Sequence, residues 1–281
     1  MKFKGSIREF DDNWKNSDEA KIEYWTRKQP TNQTQFSFRN LWILFREIIN
    51  SNKISGKDVI EIGSGRGTMS SYFSDYGYNS HLLDSSKKAI DISKHIFKKN
   101  KHKATFINEI LENYKPDKYF DIVFSIGLLE HFKSIKNPLI QQVNLLKKNG
   151  LFLCYIVPDY KSENVQKNYI FLNNLLKIIF ESKKKQTKKK EIYRNAYNSV
   201  EYIKILKKYL KKINVYGVYP LPMISYSNEF PFTVLDNKIE KLILTEFDKI
   251  IKKRVKDKKF FNPWLCEEGF GQAFLIWGIK K

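Results

Sequence analysis

The sequence predicts an α/β fold in which helices flank a mostly parallel β-sheet. Short apolar runs alternate with segments of helical periodicity from residue 57 to residue 158. Such alternation is typical of βαβ units, whose right-handed crossovers make neighbouring strands parallel. The 281 residues, 42% of them hydrophobic, are enough for one large core with appended elements.

Seven strands are predicted from apolar runs that are bounded by turn residues. They span residues 58–62, 80–84, 104–107, 120–126, 150–157, 214–221 and 271–279. Helices are predicted at 68–76, after a capping Ser85, and at 200–213. Asp236 is predicted to cap a further helix, whose apolar residues from Ile239 to Ile251, Leu242 among them, have helical spacing.

Two domains are predicted. Residues 1–52 are interpreted as a helical and aromatic N-terminal cap, and residues 53–281 as the domain that contains the sheet. Two stretches, 159–195 and 222–270, interrupt the alternation of strand and helix. We interpret both stretches as helical insertions.

The formal net charge of +21 suggests an anionic partner, but only 7 of the 51 basic residues are arginine. Arginine is the residue that makes two-point contacts with phosphates and bases. We therefore attribute the lysine excess to AT-rich coding and to solubility. Residues 159–221 alone carry a net charge of +10 and include the run Lys183–Lys190. Contact with nucleic acid or with a membrane surface is kept as a less favoured alternative.

A cytoplasmic location is expected. No apolar run reaches 18 residues, and the first ten residues do not suit a signal peptide. The chain has two cysteines, Cys154 and Cys266, and without a secretion signal a reducing compartment is favoured. The oligomeric state is left open.

The strongest functional signal is the loop Glu61-Ile-Gly-Ser-Gly-Arg-Gly67, which follows the first predicted strand. Its three glycines allow positive φ angles and a close approach of the backbone to a ligand. The fingerprint of dinucleotide-binding proteins needs a glycine at position 68, where Thr68 stands. This spacing counts against NAD or FAD.

Asp84 ends the second predicted strand, 17 residues after the glycine loop. A carboxylate at this place can accept hydrogen bonds from both hydroxyl groups of an adenosine ribose. The simpler alternative is that it caps the following helix. Together with the glycine loop, the position favours the ribose.

Four motifs in this order resemble the class I, Rossmann-like S-adenosylmethionine-dependent methyltransferases. They are the segment 58–67, Asp84, the segment 120–132 (Phe-Asp-Ile-Val-Phe-Ser-Ile-Gly-Leu-Leu-Glu-His-Phe) and the segment 146–150. The resemblance is greatest to the small-molecule group that includes the ubiquinone and menaquinone biosynthesis methyltransferases. It implies a seven-stranded, mostly parallel sheet with an antiparallel last strand, and insertions that shape the acceptor pocket.

The resemblance also implies S-adenosylmethionine as cofactor and S-adenosylhomocysteine as product. Glu61 and the glycines would hold the methionine portion, Asp84 the ribose, and Asn108 or Glu109 the adenine. The residues implied to bind the cofactor lie at the ends of the first four strands: Glu61, Gly63, Ser64, Gly65, Gly67, Asp84, Asn108, Glu109, Ile126 and Gly127.

Glu130 and His131 are the candidate catalytic residues. Methyl transfer is an in-line displacement, and a hydroxyl nucleophile benefits from a general base such as histidine. In some related O-methyltransferases this pair helps to hold a metal, and in others it only begins a helix. We predict no metal site, because the other histidines show no ligand spacing.

The leading hypothesis is O-methylation of a small molecule. The alternatives are an RNA methyltransferase that uses the lysine-rich insertion, and a catalytically silent binding module. Several aromatic residues are candidates for a lid over the cofactor or for a substrate pocket, although ordinary packing is the simpler interpretation. They are Tyr24, Trp25, Trp42, Trp264 and Phe270.

Overall fold

The computed structural model describes residues 24–159, 193–218, 237–271 and 273–281. The helices in these ranges are α1 (Gln33–Ser51), α2 (Thr68–Asp75), α3 (Lys87–Lys99), α4 (Lys136–Asn144), α5 (Ser199–Leu206) and α6 (Asn237–Asp257). The strands are β1 (Asp58–Ile62), β2 (Asn79–Asp84), β3 (Ala104–Asn108), β4 (Phe120–Ile126), β5 (Leu146–Ile156), β6 (Leu210–Val218), β7 (Leu265–Cys266) and β8 (Ala273–Lys280).

All eight of these strands form one sheet in the order β3-β2-β1-β4-β5-β8-β6-β7. Strands β1 to β5 pair in parallel, and β8 is antiparallel to both β5 and β6. The fold-class prediction, with its antiparallel last strand, is therefore confirmed. The additional strand is the two-residue β7, which pairs with the end of β6.

Both faces of the central strands are buried. In β4, Ile122 and Phe124 enter one core, whereas Val123 enters the core on the opposite face. Leu153 and Cys154 of β5 divide in the same way. Strands covered on both faces have continuous apolar runs instead of alternating ones, which accounts for the apolar runs at 120–126 and 150–157.

Helix α1 is an integral part of the core that contains Ile122 and Phe124, called the first core here. Asn32 caps it by accepting a hydrogen bond from the backbone N–H of Gln35 at 2.9 Å. Its apolar residues recur every three or four positions, and Phe45 packs edge-on against Phe124 with ring centroids 5.9 Å apart. Each such buried side chain contributes roughly 1.5–3 kcal/mol to folding.

Three local predictions were wrong. The N-cap of α3 is Ser86, whose hydroxyl accepts from Ala89, and not Ser85. The helix predicted at 200–213 ends at Leu206, because the last part of that segment forms β6 at the edge of the sheet. The strand predicted at 150–157 begins four residues earlier, at Leu146.

Several predicted features lie outside the described residues. These are the run Lys183–Lys190, the capping residue Asp236, most of the insertion 159–195, and the first part of the insertion 222–270. In the part of the chain that is described, no helix is both long enough and apolar enough to cross a membrane.

Candidate active site

The glycine loop connects β1 to α2 in the conformation that its sequence predicts. Gly63, Gly65 and Gly67 have φ angles of 68°, 50° and 67°, in the left-handed region that glycine adopts without a steric penalty. The N–H groups of Gly63 and Ser64 donate to the carbonyl oxygen of Leu83 at 2.8 and 3.1 Å. The loop is thus attached to the end of β2.

Two of the glycines also leave no room for a side chain. A Cβ atom at Gly63 would lie 2.8 Å from Leu128, in the loop after β4. A Cβ atom at Gly67 would lie 2.3 Å from Leu82 and 3.0 Å from Phe97, both of which are buried. Close packing around the loop therefore excludes even alanine without a shift of the neighbours.

Gly67→Ala is expected to lower the free energy of unfolding by about 3 kcal/mol, from backbone strain and overpacking together. Gly77→Ala is the matched control, because Gly77 has a φ of 77° but no atom within 4 Å of its Cβ position. It should cost only the backbone strain, about 1 kcal/mol. Urea denaturation of both variants measures the difference. Equal losses would show that the packing around Gly67 does not matter.

Asp84 closes the other side of the loop. Its Oδ2 accepts a hydrogen bond from the N–H of Gly65 at 2.8 Å, and its Oδ1 accepts from the N–H of Ser86 at 2.8 Å. A carboxylate oxygen can accept more than one hydrogen bond, so these two bonds do not by themselves exclude bonds from the hydroxyl groups of a ligand. Asp84 orders the turn before α3 but does not cap the helix, since Ser86 does.

Asn108 is the last residue of β3, the neighbour of β2, and Glu109 follows it. The Asn108 amide donates to the carbonyl oxygens of Asp84 and Ser85 at 3.0 and 3.1 Å. Glu109 accepts from the N–H of Ile110 at 2.8 Å. Asn108 thus stabilises the Asp84 turn, and the predicted adenine contact of either residue stays a prediction.

Glu61 is buried beneath the loop, 5% exposed. Its Oε2 accepts from the backbone N–H and the hydroxyl of Ser70 at 3.2 and 2.5 Å, in the first turn of α2. Burial raises the pKa of Glu61 to about 8, although the hydrogen bonds from Ser70 act in the opposite direction. Glu61 therefore links β1 to α2, and its contact with a cofactor stays a prediction.

The end of β4 lies beside the glycine loop, because β1 and β4 are paired neighbours. Ile126 is its last residue and is buried. Gly127 follows with a φ of 64° and donates its N–H to Tyr155 of β5 at 2.9 Å. A 3₁₀ turn, Leu129–His131, then carries the two candidate catalytic residues.

Glu130 and His131 are both buried. The Oε1 atom of Glu130 accepts from the N–H of Val157 at 3.3 Å, and burial raises the pKa of this carboxyl to about 7. The Nδ1 atom of His131 lies 2.7 Å from the carbonyl oxygen of Tyr193. Burial lowers the pKa of His131 to about 4, against the effect of the carbonyl groups of Tyr193 and Gly127.

Sequence reasoning missed the residues that hold this turn. The side-chain amide of Asn195 donates to the carbonyl oxygens of Leu129 and Phe132 at 3.1 and 3.0 Å. The backbone N–H of Asn195 donates to the backbone carbonyl oxygen of Glu130. Tyr193 and Asn195 lie more than 60 positions from the turn in an irregular segment. An irregular segment has no periodicity that would reveal such contacts.

The aromatic candidates for a lid or pocket have different environments. Trp42 and Trp264 are buried in the first core, and the Trp42 ring packs edge-on against Phe73 at 4.8 Å. Phe270 is 42% exposed. Tyr24 is buried with its ring against Arg66 of the glycine loop. Within the described ranges, no three His, Cys, Asp or Glu side chains are grouped as a metal site would require.

A glycine loop, a carboxylate at the end of β2 and a buried Glu-His pair in the turn after β4 together form the candidate nucleoside-cofactor site of this α/β protein. The chain matches the model of the methyltransferase domain family over residues 40–182. This match covers half of the chain, and the protein therefore belongs to that family. As the motifs predicted, the chain contains a methyltransferase domain.

Curated relatives align with part of the chain. A ubiquinone biosynthesis O-methyltransferase of Rickettsia typhi is 23% identical over 130 residues, which are 46% of this chain and 51% of the relative. An enzyme of the same name from Pelagibacter ubique is 32% identical over 111 residues, 37% of this chain and 46% of the relative. The chain thus spans about half the length of the curated relatives that it matches.

Solved structures share the fold. A protein from Pyrococcus horikoshii superposes with a TM-score of 0.53 and 15% identity, over 91% of this chain and 93% of its own. The magnesium protoporphyrin IX methyltransferase of Synechocystis, solved with bound S-adenosylhomocysteine, superposes with a TM-score of 0.50 and 13% identity. That superposition covers 75% of this chain and 88% of the other.

The residues of the loop fit S-adenosylmethionine. The Ser64 hydroxyl is buried and has no hydrogen-bond partner among the described residues, which costs free energy unless a ligand satisfies it. The Ser64 hydroxyl can donate to the methionine portion, and the Asp84 carboxylate lies at the end of β2, where it can accept from ribose hydroxyls.

Proposed function

We propose that the protein transfers a methyl group to an oxygen atom of a small-molecule acceptor. The central observation is the buried carboxyl of Glu130, 1% exposed, at the end of β4. Its Oε2 has no hydrogen-bond partner among the described residues, and the pKa of the carboxyl is about 7. A carboxyl that loses its proton near neutral pH suits a general base.

His131 supports this chemistry as a positioning residue. Its pKa of about 4 keeps the ring neutral at neutral pH, and its Nδ1 is held by the Tyr193 carbonyl at 2.7 Å. A ring held in this way orders the turn on which Glu130 lies. We therefore assign proton transfer to Glu130 Oε2 and the support of the turn to His131.

When bound, S-adenosylmethionine supplies an electrophilic methyl group. A hydroxyl is a weak nucleophile until its proton is removed, and Glu130 Oε2 would receive that proton. A neutral amine attacks without such help, so a buried base favours an oxygen acceptor over a nitrogen one.

The curated relatives also support an oxygen acceptor, since they are named O-methyltransferases, although they align over only half their length. Their role in ubiquinone biosynthesis favours a small-molecule acceptor over RNA. The lysine run that motivates the RNA alternative lies outside the described residues. A reducing cytoplasm stays the expected compartment and is supported by the buried, unpaired thiols of Cys154 and Cys266.

The proposal is tested by incubating the protein with methyl-labelled S-adenosylmethionine and three acceptor pools: phenols and other small-molecule hydroxyl compounds, small-molecule amines, and total RNA. Label in an O-methyl product of the first pool supports the proposal. Label confined to amines or to RNA contradicts it. Cofactor binding without transfer to any pool would favour a silent binding module.

Glu130→Gln is expected to lower kcat/KM for the hydroxyl acceptor about a hundredfold, because the amide cannot accept the proton. In the unmodified protein, kcat/KM should rise with pH and level off above about pH 7, where Glu130 is ionised. The variant should lack this limb. Steady-state rates between pH 5 and 9 measure both effects.

Glu112→Gln, a change at an exposed site between β3 and β4, is the matched control and should keep full activity. His131→Gln should lower the rate less than Glu130→Gln and should leave the limb near pH 7 in place. If the rise of kcat/KM with pH instead persists in Glu130→Gln and disappears in His131→Gln, the role of base belongs to His131.

A further inference from the structure

A short segment ahead of α1, Tyr24–Lys28, contacts the C-terminal half of α2 and is called the strap here. The N–H of Thr26 donates to the hydroxyl of Tyr72 at 3.4 Å, and Arg27 forms an ion pair with Asp75. Both partners are on α2, the helix that begins immediately after the glycine loop. The strap is therefore attached to α2, the helix that the glycine loop leads into.

The Trp25 ring makes a third attachment. It packs edge-on against His102 with ring centroids 4.6 Å apart, and against Tyr72 at 6.2 Å. These contacts place the backbone of the strap and leave its first residue, Tyr24, at the loop itself.

Tyr24 contacts the glycine loop through Arg66. The guanidinium carbon of Arg66 lies 4.3 Å from the centroid of the Tyr24 ring. Both side chains are almost completely buried, with Tyr24 5% and Arg66 4% exposed. A buried guanidinium needs favourable contacts, and the face of an aromatic ring provides one that is stronger out of water.

Arg66 lies between Gly65 and Gly67, two residues whose backbones have no side chain to restrict φ and ψ. Because glycine has wide conformational freedom, the loop must be held by its contacts. The side chain of Arg66, fixed against Tyr24, supplies a restraint from outside the sheet, and the bond from Gly65 to Asp84 supplies another.

We propose that Tyr24 is a positioning residue that holds the glycine loop in its cofactor-binding conformation through Arg66. The inference rests on the cofactor site described above and extends that site to a segment ahead of the family match, which begins at residue 40. Loss of the pair should weaken cofactor binding and raise the KM for S-adenosylmethionine, while kcat changes little.

Plain packing is the alternative, because the Tyr24 ring also stacks on Phe38 of α1 at 6.1 Å. Tyr24→Leu keeps apolar bulk but removes the aromatic face, and Tyr24→Phe keeps both. Binding of S-adenosylhomocysteine to the full chain is measured by calorimetry for each variant, in the natural background and with Arg66→Met. Melting temperatures are recorded in parallel.

Tyr24→Leu is expected to weaken S-adenosylhomocysteine binding about tenfold, and Tyr24→Phe less than about twofold. Arg66→Met alone should cost a similar factor, and Tyr24→Leu should add nothing in that background. Tyr76→Leu is the control, since Arg46 lies over the Tyr76 ring at 4.6 Å in a more exposed pair of the same kind away from the loop. It should leave binding unchanged.

The inference is overturned if Tyr24→Phe weakens binding as much as Tyr24→Leu, or if Tyr24→Leu has the same effect in both backgrounds. Should Tyr24→Leu fail to fold, unchanged binding in Arg66→Met overturns it equally. The variant Asp84→Ala distinguishes an error in the role of the strap from an error in the location of the cofactor site. If Asp84→Ala weakens binding and Tyr24→Leu does not, only the role of the strap is wrong. If neither change weakens binding, the cofactor site itself is misplaced.

Discussion

Asp84→Ala is expected to weaken the binding of S-adenosylhomocysteine about a thousandfold. A hydrogen bond to a charged acceptor contributes about 1.5–3 kcal/mol, and a ribose offers two hydroxyl donors to the same carboxylate. The change also removes the acceptor that holds the Gly65 N–H at 2.8 Å, so the loop loses part of its order. Calorimetric titration of the full chain measures the loss directly.

Two further variants test whether the effect depends on the negative charge of Asp84 and on its position beside the loop. Asp84→Asn keeps one oxygen acceptor and should cost about thirtyfold, because hydrogen bonds to neutral acceptors are weaker. Asp91→Ala removes a carboxylate from an exposed ion pair with Lys87 on α3 and should leave binding unchanged. Binding of natural affinity in Asp84→Ala, with the same melting temperature, would contradict the assignment of Asp84 to the ribose.

The contact between Asp84 and the loop could be predicted because the sheet topology brings its parts together. The carboxyl ends of adjacent parallel strands meet at one edge of the sheet, and β1 and β2 both end in recognisable residues. The bounds of β1 and β4 agree with the sequence prediction, since apolar runs buried on both faces end sharply at glycine or at a polar residue.

Other parts of the site could not be predicted, because they depend on contacts between distant segments. Ser70 looks like an ordinary residue of the first turn of α2, and only the structure shows that its hydroxyl donates to Glu61. Tyr193 and Asn195 reach the turn of Glu130 from a segment without helix or strand periodicity. The sequence also gave no indication that Tyr24 meets Arg66, 42 positions away, because one aromatic residue has many possible partners.

Local errors arose where two signals compete within a few residues. Ser85 and Ser86 are both good helix caps, and the choice depends on which hydroxyl the turn held by Asp84 directs at the helix. The segment 207–213 has helical spacing, but the open edge of β8 offers a row of backbone hydrogen bonds to it. Tertiary pairing then outweighs local propensity.

Glu61→Gln is expected to change how the free energy of unfolding depends on pH. The folded carboxyl has a raised pKa of about 8, whereas the unfolded chain has the ordinary value of 4.5. Between these values the unfolded state ionises and the folded state does not, so the stability that this group contributes falls as pH rises. Glutamine does not titrate, and the unfolding free energy of the variant minus that of the natural protein should rise by about 5 kcal/mol from pH 4.5 to 8.

The quantity to measure is the difference in unfolding free energy between Glu61→Gln and the natural protein. Glu130 and His131 titrate in both proteins, so their contributions cancel in this difference. Urea denaturation at several pH values provides it. Ser70→Ala should raise the pKa of Glu61 further by removing a hydroxyl donor, and so move the upper end of the window to higher pH. Ser71→Ala, equally buried but bonded to Gly67, should leave the window in place. A difference that stays flat with pH would mean that Glu61 is already ionised in the folded protein, and that the helix terminus at Ser70 stabilises its charge despite burial.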